Sequence, residues 1–375
     1  MTYPDYEIVE KVFHHIILEG SSYEIGQQLA RYNRRNPSSV KWFTETKLNP
    51  EKFGFESFES LNAFFEEYCP GIGEEIQGFS DELGLNSSTS AFYAVSCMAA
   101  TKQTCSQLAI LPSYTKDNQF YLGRSYEWNL TEDDLLLCTT RVKGKIAHLG
   151  MSGILFGRLD GMNEHGLVVS TTGGGIFDVP LSNRGPAFWV LVRSFLENCR
   201  DVRECMQKLP SLPLAGHFNI LFADKSGNAE LVEVADGEYA IKQPQDDAPY
   251  LCSLNHYMIP EMEKHNEQNC GIIQHSKVRL SLIESMLNEY APAVTKENIR
   301  KLFATSHPRG LTNHFYDDAF GTIYSMLFDI FNQSIDICFG APSHNEYRTF
   351  NLDGEAGITA YPAVVPKLPW TTYPI

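Results

Sequence analysis

The chain has 375 residues, of which 43% are hydrophobic and 20% are charged, a composition typical of a folded protein large enough to bury a core without disulfides. Its 30 Lys and Arg residues against 46 Asp and Glu residues give a formal net charge of −16. This charge argues against nucleic acid or an anionic membrane surface as the main partner.

Cysteine usage favours a reducing compartment. The number of cysteines is odd, their spacing is irregular, and no CxxC pair occurs. The first residues, MTYPDYEIVEKVFHHI, lack the basic segment and apolar core of a signal peptide. We therefore expect free thiols in a cytoplasmic protein. The cysteines stand at positions 69, 97, 105, 138, 199, 205, 252, 270 and 338.

The first hundred residues are predicted to be mostly helical. A strand is expected at 12–20, and the capping-box spacing of Ser21 and Glu24 predicts a helix directly after it. Three further helices are expected at 57–69, 71–84 and 89–101, the last two separated by a break at Gly84 and Asn86.

From residue 105 the pattern becomes rich in strands. Strands are predicted at 105–111, 119–126, 135–142 and 166–174, and hairpins at 217–242, with its turn at 225–228, and at 321–340. Helices are predicted at 187–209, after Pro186, and at 278–290, where Leu280, Ile283 and Leu287 share one face. This order indicates two sheets with helices outside them, built as one unit.

Several kinds of site lack their motifs. His14 and His15 are neighbours on a strand and should point to opposite faces, and neither an HExxH motif nor zinc-finger spacing occurs. The glycine run at 171–175 has no following Lys-Ser/Thr, so a tight turn is the better interpretation. A GxSxG nucleophile motif is also missing. We expect neither a metal nor an organic cofactor.

Cys105 is the candidate nucleophile that the strand pattern favours. It begins a strand after the polar segment AATKQT, so it should lie at the edge of a sheet. The following strand ends in Arg124 and Glu127, which could fold back towards the start of the first strand. A cysteine in such a place is otherwise most often a small buried apolar residue.

The thiol needs a base, and two sources are open. His256, which follows Asn255, would give a Cys/His/Asn set, although the sequence around Cys105 lacks the papain-type signature. Alternatively, cleavage between Thr104 and Cys105 would make the α-amino group of Cys105 the proton acceptor.

These and other segments of the chain resemble a known family, the acyl-coenzyme A:6-aminopenicillanic acid acyltransferases (peptidase family C45). These are N-terminal-nucleophile (Ntn) hydrolases related to choloylglycine hydrolases. The similar segments, which follow one another in the family's order, are LEGSSYEIGQQLARY, TCSQLAILP, GRSYEWN, GMNEHGLVVS, NILFADKSGNAELVEV, LNHY and GTIYSMLFDI with FGAPSHNEYRTFNL.

The resemblance implies roles for particular residues. Cys105 would be the nucleophile, exposed when the precursor cleaves itself after Thr104, where the family commonly has glycine. Glu127 takes the place of an aspartate that is hydrogen-bonded near the new N-terminus. Arg124 matches an arginine close to the thiol, and Asn255 matches the asparagine of the oxyanion hole.

The resulting prediction is an α/β protein with a four-layer αββα sandwich of two antiparallel sheets, the Ntn-hydrolase fold. Residues 1–104 would form an attached α chain and 105–375 a β chain. The predicted activity is hydrolysis or acyl transfer at a linear amide bond of a small acylated substrate, through a thioester on Cys105. An acyl-CoA is one candidate acyl donor. His256 and Arg309 are weaker candidates for substrate binding.

Two alternatives stay open at this stage. One is an uncleaved, non-catalytic member that binds an acyl or peptide ligand. The other is an unprocessed hydrolase that uses Cys105 and His256 as a thiol–imidazole pair. We expect no nucleic-acid or membrane partner, and the sequence leaves open whether the chain forms a homo-oligomer.

Overall fold

The computed structural model describes residues 6–35, 57–85, 104–131, 133–175, 183, 185–267, 270–354 and 357–369. The helix predicted at 89–101 and the break at Asn86 lie outside these ranges. Within them no helix is long and apolar enough to cross a bilayer.

The described residues form sixteen strands and seven α-helices. In chain order they are β1 (Glu7–Gly20), α1 (Ser22–Asn33), α2 (Phe58–Tyr68), α3 (Ile72–Leu83), β2 (Thr104–Ile110), β3 (Tyr121–Trp128), β4 (Leu136–Val142), β5 (His148–Gly153), β6 (Gly157–Asn163), β7 (Val168–Gly173), α4 (Phe188–Asn198), α5 (Val202–Lys208), β8 (His217–Ala223), β9 (Ala229–Ala235), β10 (Glu238–Lys242), β11 (Tyr250–Ser253), α6 (Gly271–Tyr290), α7 (Lys296–Ala304), β12 (His314–Phe315), β13 (Phe320–Asp329), β14 (Ser334–Phe339), β15 (Arg348–Phe350) and β16 (Ile358–Lys367).

The strands form two large sheets. The nine-stranded sheet has the order β10-β9-β8-β7-β6-β5-β4-β1-β16, and the seven-stranded sheet has the order β11-β2-β3-β13-β14-β15, with β12 also paired to β13. The pairs are antiparallel except for β1 and β4, which run parallel. The prediction of two antiparallel sheets is therefore confirmed apart from this one pair.

The sheets face one another and carry helices on their outer sides. Between them, for example, the rings of Phe13 and Phe339 stack with centroids 5.0 Å apart. Helix α4 packs on the outer face of β6, and α7 packs on the outer face of β3, where Phe303 touches Gly123. The four-layer αββα arrangement predicted from the sequence is confirmed.

Glycines in β6 explain how closely α4 approaches the sheet. A Cβ atom on Gly157 would lie 2.3 Å from the side chain of Trp189, and one on Gly161 would lie 2.8 Å from Leu196. Any larger residue at these two positions would push the helix away from the sheet.

Most local predictions are confirmed, and two need correction. Ser21 and Glu24 form the expected capping box, and Gly84 ends α3 in the left-handed conformation with φ 70°. The helix predicted at 187–209 is instead two helices, because Asp201 caps a new helix by accepting from the backbone N–H of Glu204. The segment 217–242 has the predicted turn but adds a third strand.

The N-terminal segment is built into the core of the fold. Strand β1 lies between β4 and β16, inside the nine-stranded sheet. Glu75 of α3 accepts two hydrogen bonds from the guanidinium of Arg193 in α4, at 2.6 and 2.5 Å, and both side chains are buried. This buried ion pair joins residues on either side of position 104.

Glu75→Gln should lower the stability of the fold markedly, because it removes one of the two carboxylates, those of Glu75 and Glu197, that pair with the buried Arg193 guanidinium. We expect a loss of about 3 kcal/mol, read from the shift of the urea midpoint. The matched control is Glu82→Gln on the same helix, whose pairs with Arg31 and Arg34 involve exposed arginines and should cost less than about 1 kcal/mol. Equal urea midpoints for the two variants would contradict a stabilising role of the buried Glu75–Arg193 pair.

Candidate active site

Cys105 lies in β2, which is hydrogen-bonded to β11 on one side and to β3 on the other. Its side chain is fully buried. In the β2–β3 register Cys105 stands opposite Tyr126, and Gln107 stands opposite Arg124. Since alternate residues share a face of a sheet, the thiol and the guanidinium of Arg124 lie on the same side. The sequence prediction that the second strand folds back beside Cys105 is confirmed.

The face that carries the thiol points towards the nine-stranded sheet. Arg124 Nε donates to Asp160 Oδ1 of β6 at 2.9 Å, and both side chains are buried. Asp160 also accepts from the hydroxyl groups of Ser170 at 2.6 Å and Tyr324 at 2.7 Å. A buried carboxylate with donors of this kind is a well-satisfied ion-pair partner, so Arg124 has a fixed place between the sheets.

Opposing effects set the pKa of the Cys105 thiol. Burial raises this pKa. Arg124 lowers it through its positive charge and a hydrogen bond, and the negative charge of Glu127 raises it. Because the thiolate is the nucleophilic form, Arg124 is the group that favours reactivity here.

Glu127 lies on the other face of the same sheet. It stands opposite Thr104 in the β2–β3 register, and Ser125 donates a hydrogen bond to its carboxylate. Burial raises the pKa of Glu127 to about 7, against the opposing effects of Arg279 and Ser125. The carboxylate is therefore next to the residue that precedes Cys105, with the sheet between it and the thiol.

Asn255 follows β11 and binds the backbone of Cys105 directly. Its Oδ1 accepts from the backbone N–H of Cys105 at 2.8 Å and from Arg279 Nη2 at 2.6 Å, and its Nδ2 donates to the carbonyl of Gly173 at 3.3 Å. The side chain thus holds the nitrogen atom that cleavage after Thr104 would turn into an α-amino group.

Arg279 is a site residue that sequence reasoning missed. From α6, its Nη1 donates to the carbonyl of Cys105 at 2.5 Å and to Ser106 Oγ at 2.8 Å, and it lies 3.9 Å from Glu127 Oε2. A signal was present, because Arg279 is four residues before Ile283 and so belongs to the apolar face predicted for this helix. Asp160, which pairs with Arg124, was also missed, and no local pattern marked it.

Of the two weaker candidates, His256 lies beside this group and Arg309 lies outside it. His256 Nδ1 is hydrogen-bonded to Ser276 Oγ at 2.7 Å, and burial, with help from Arg279 and Lys277, lowers its pKa to about 4. Arg309 is exposed in the loop after α7. Of the predicted site residues, the structure brings together Thr104, Cys105, Arg124, Glu127 and Asn255, and it leaves Arg309 outside this group.

The geometry suits chemistry at a carbonyl carbon. It combines a thiol beside a guanidinium, a backbone nitrogen held by an amide oxygen, and a buried carboxylate whose pKa is close to neutrality. Similarity to known proteins bears on which kind of carbonyl chemistry this is.

The sequence pattern of the acyl-coenzyme A:6-aminopenicillanic acid acyl-transferase family matches residues 114–344, well over half of the chain. The chain belongs to this family. The matched range begins after Cys105, so the match itself does not include Thr104 or Cys105. No curated protein matches the chain in sequence.

Several solved structures are similar to this one at low identity. A mutant of conjugated bile acid hydrolase from Clostridium perfringens is 14% identical, with 68% of this chain and 96% of that chain covered and a TM-score of 0.44. Penicillin V acylase from Agrobacterium tumefaciens is 15% identical (68% and 90%, TM-score 0.46). The Caenorhabditis elegans ortholog of N-acylethanolamine-hydrolyzing acid amidase is 14% identical (60% and 93%, TM-score 0.45).

The raised pKa of Glu127 predicts that this family member loses stability as the pH rises. Between the ordinary glutamate pKa of about 4.5 and the folded value of about 7, the folded state binds more protons than the unfolded state. Stability should therefore fall through this window, by up to about 3 kcal/mol, and level off above pH 7.

Glu127→Gln should remove this part of the pH dependence, because the amide mimics the protonated carboxyl. The measurement is the urea midpoint at pH 5 and pH 8 for both proteins in a Cys105→Ala background, which keeps the covalent state of the chain the same. Parallel losses of stability in the two proteins would show that Glu127 is not the titrating group.

Proposed function

We propose that this acyl-transferase family member cleaves itself between Thr104 and Cys105 and then uses Cys105 as an N-terminal nucleophile on the amide bond of a small acylated substrate. One observation carries the proposal: the backbone N–H of Cys105 is already bound by Asn255 Oδ1 at 2.8 Å. The amine that cleavage would release is thus held in place before it is formed.

The self-cleavage step needs only groups of the chain and water. The Cys105 thiol attacks the carbonyl carbon of Thr104, the bond from that carbon to the Cys105 nitrogen breaks, and the thiol proton ends on the nitrogen. Water then hydrolyses the thioester to give the Thr104 carboxylate and a free thiol. Arg279 contacts the Cys105 carbonyl and Arg124 contacts the thiol, so the residue that supplies the attacking sulfur is held at two points.

Turnover repeats this chemistry on a substrate. The thiol adds to the substrate carbonyl, and the α-amine of Cys105 accepts the thiol proton and passes it to the leaving amine. Asn255 Nδ2 stabilises the oxyanion, a contribution of about 3 to 4 kcal/mol where one such donor has been removed in other enzymes. Water, or a second amine, then takes the acyl group from the thioester.

The N-terminal segment stays attached as the α chain after cleavage. Its strand β1 remains between β4 and β16, and Glu75 remains paired with Arg193. The β chain, residues 105–375, carries the nucleophile. Both chains belong to one Ntn-hydrolase fold.

The substrate class follows from the family description, which names an acyl thioester and an amine acceptor. We propose small acylated amines as substrates, with an acyl-CoA as a donor if the thioester is resolved by an amine. Release of amine from a panel of N-acyl amino acids, penicillins and bile-salt conjugates distinguishes the acyl groups. Added acyl-CoA with an amine acceptor distinguishes transfer from hydrolysis.

Self-cleavage has a direct test. Intact mass of the purified protein should show two chains, residues 1–104 and 105–375, whereas Cys105→Ala should give one full-length chain. Cys270→Ala, which changes a half-buried cysteine at the start of α6, is the matched control and should cleave as the wild type does. A single full-length wild-type chain whose Cys105 does not react with iodoacetamide would contradict the proposal and favour the non-catalytic alternative.

The thiol–imidazole alternative makes a different prediction. Burial lowers the pKa of His256 to about 4, which makes the imidazole a weak proton acceptor and argues against a role as the base for Cys105. His256→Ala should therefore leave measurable self-cleavage and amine release, whereas complete loss of both in a folded variant would support the Cys105/His256 pair.

A further inference from the structure

Ser276 of α6 contacts two consecutive residues in the segment after β11, Asn255 and His256. Its hydroxyl oxygen accepts a hydrogen bond from the backbone N–H of Asn255 at 2.9 Å, and the hydroxyl is also hydrogen-bonded to Nδ1 of His256 at 2.7 Å. Ser276 and Asn255 are fully buried and His256 is nearly so. A buried hydroxyl with two such partners is specifically oriented.

His256 is the uncharged partner of this serine. Burial lowers the pKa of His256 to about 4, so the ring is neutral at ordinary pH. A neutral imidazole carries one N–H, and the Ser276 oxygen keeps a second lone pair when it accepts from Asn255. The hydrogen bond at 2.7 Å therefore forms in both tautomers of His256, with the Ser276 hydroxyl donating in one and His256 Nδ1 donating in the other.

The main chain around Asn255 is held from two sides. The carbonyl of Leu254 accepts from Thr172 Oγ1 and from Asn219 Nδ2, both at 2.9 Å, from the nine-stranded sheet. The next backbone group, the N–H of Asn255, is held by Ser276 from the helix on the opposite side. The sheet and the helix together therefore set where the Asn255 side chain meets Cys105.

We propose that Ser276 is a positioning residue for the reaction, acting through Asn255 on the Cys105 nitrogen and on the oxyanion. The proposal rests on the function proposed above. Without the hydroxyl, the Asn255 N–H loses this hydrogen bond, and the backbone that carries the Asn255 side chain is no longer held by Ser276 of α6. A misplacement of about 1 Å in such a site costs on the order of 100-fold in rate.

Ser276→Ala should slow self-cleavage and lower kcat for amine release by about 10- to 100-fold, with KM within about threefold of the wild-type value. Self-cleavage is followed by intact mass over time, and amine release by turnover of penicillin V or, if that is not accepted, of the best substrate of the panel. Ser276→Thr keeps the hydroxyl and should restore most of the rate.

The matched control is Ser281→Ala on the same helix. Ser281 is exposed, and its hydroxyl donates to the carbonyl of Val278 within the helix. This variant should behave as the wild type does in both assays. Urea midpoints for all three serine variants show whether a loss of rate comes from unfolding.

A double-mutant cycle tests the relay from His256 through Ser276 to Asn255, that is, the two hydrogen bonds of Ser276. If His256 acts only by orienting the Ser276 hydroxyl, Ser276→Ala combined with His256→Ala should be no slower than Ser276→Ala alone. Losses that add would contradict the relay and assign His256 a separate role.

The outcomes separate this proposal from the one on which it rests. An active, self-cleaved wild type with an equally fast Ser276→Ala variant overturns the role of Ser276 alone. A rate loss that Ser276→Thr does not restore, or that appears in KM with kcat unchanged, also overturns it. A wild type that stays whole and releases no amine overturns the proposed function, and the role of Ser276 with it.

Discussion

The arrangement of the site depends on the hydrogen bond from the Cys105 backbone N–H to Asn255 Oδ1. The same oxygen accepts from Arg279, so the start of β2, the end of β11 and helix α6 meet at one buried atom. A buried amide oxygen or N–H without a partner costs roughly 1 to 3 kcal/mol, which makes alternative placements of any of these three elements unfavourable.

The two faces of β2 divide the chemistry. On the inner face the thiol lies beside Arg124, whose charge is balanced by Asp160 across the gap between the sheets. On the outer face Glu127 lies beside Thr104 and close to Arg279. Each buried charge thus has an opposite charge nearby, as burial in a low dielectric requires. Because successive side chains of a strand point to opposite faces, the groups beside the thiol and the groups beside the preceding peptide bond lie on different sides of β2.

The limits of sequence reasoning show in particular elements. The hairpin that brings Arg124 and Glu127 beside Cys105 was predictable, because strand length and turn residues are local signals. Strand β6, GRLDGMN, was not predicted, because its glycines have low strand propensity. It is a strand because β5 and β7 pair with it. Its glycines are explained by the close packing of α4 on this strand.

By itself, the sequence determined the class of fold, the family resemblance and the position of Cys105, Arg124 and Glu127 along one hairpin, since these follow from local periodicity and motif order. The resemblance pointed to Asn255 as well, but only the tertiary structure decided which atoms these residues meet. Asn255 is 150 residues from Cys105 and Arg279 is 174 residues from it, and Asp160 is 36 residues from Arg124. Contacts over such distances arise from the packing of the two sheets and α6, which no local pattern of residues records.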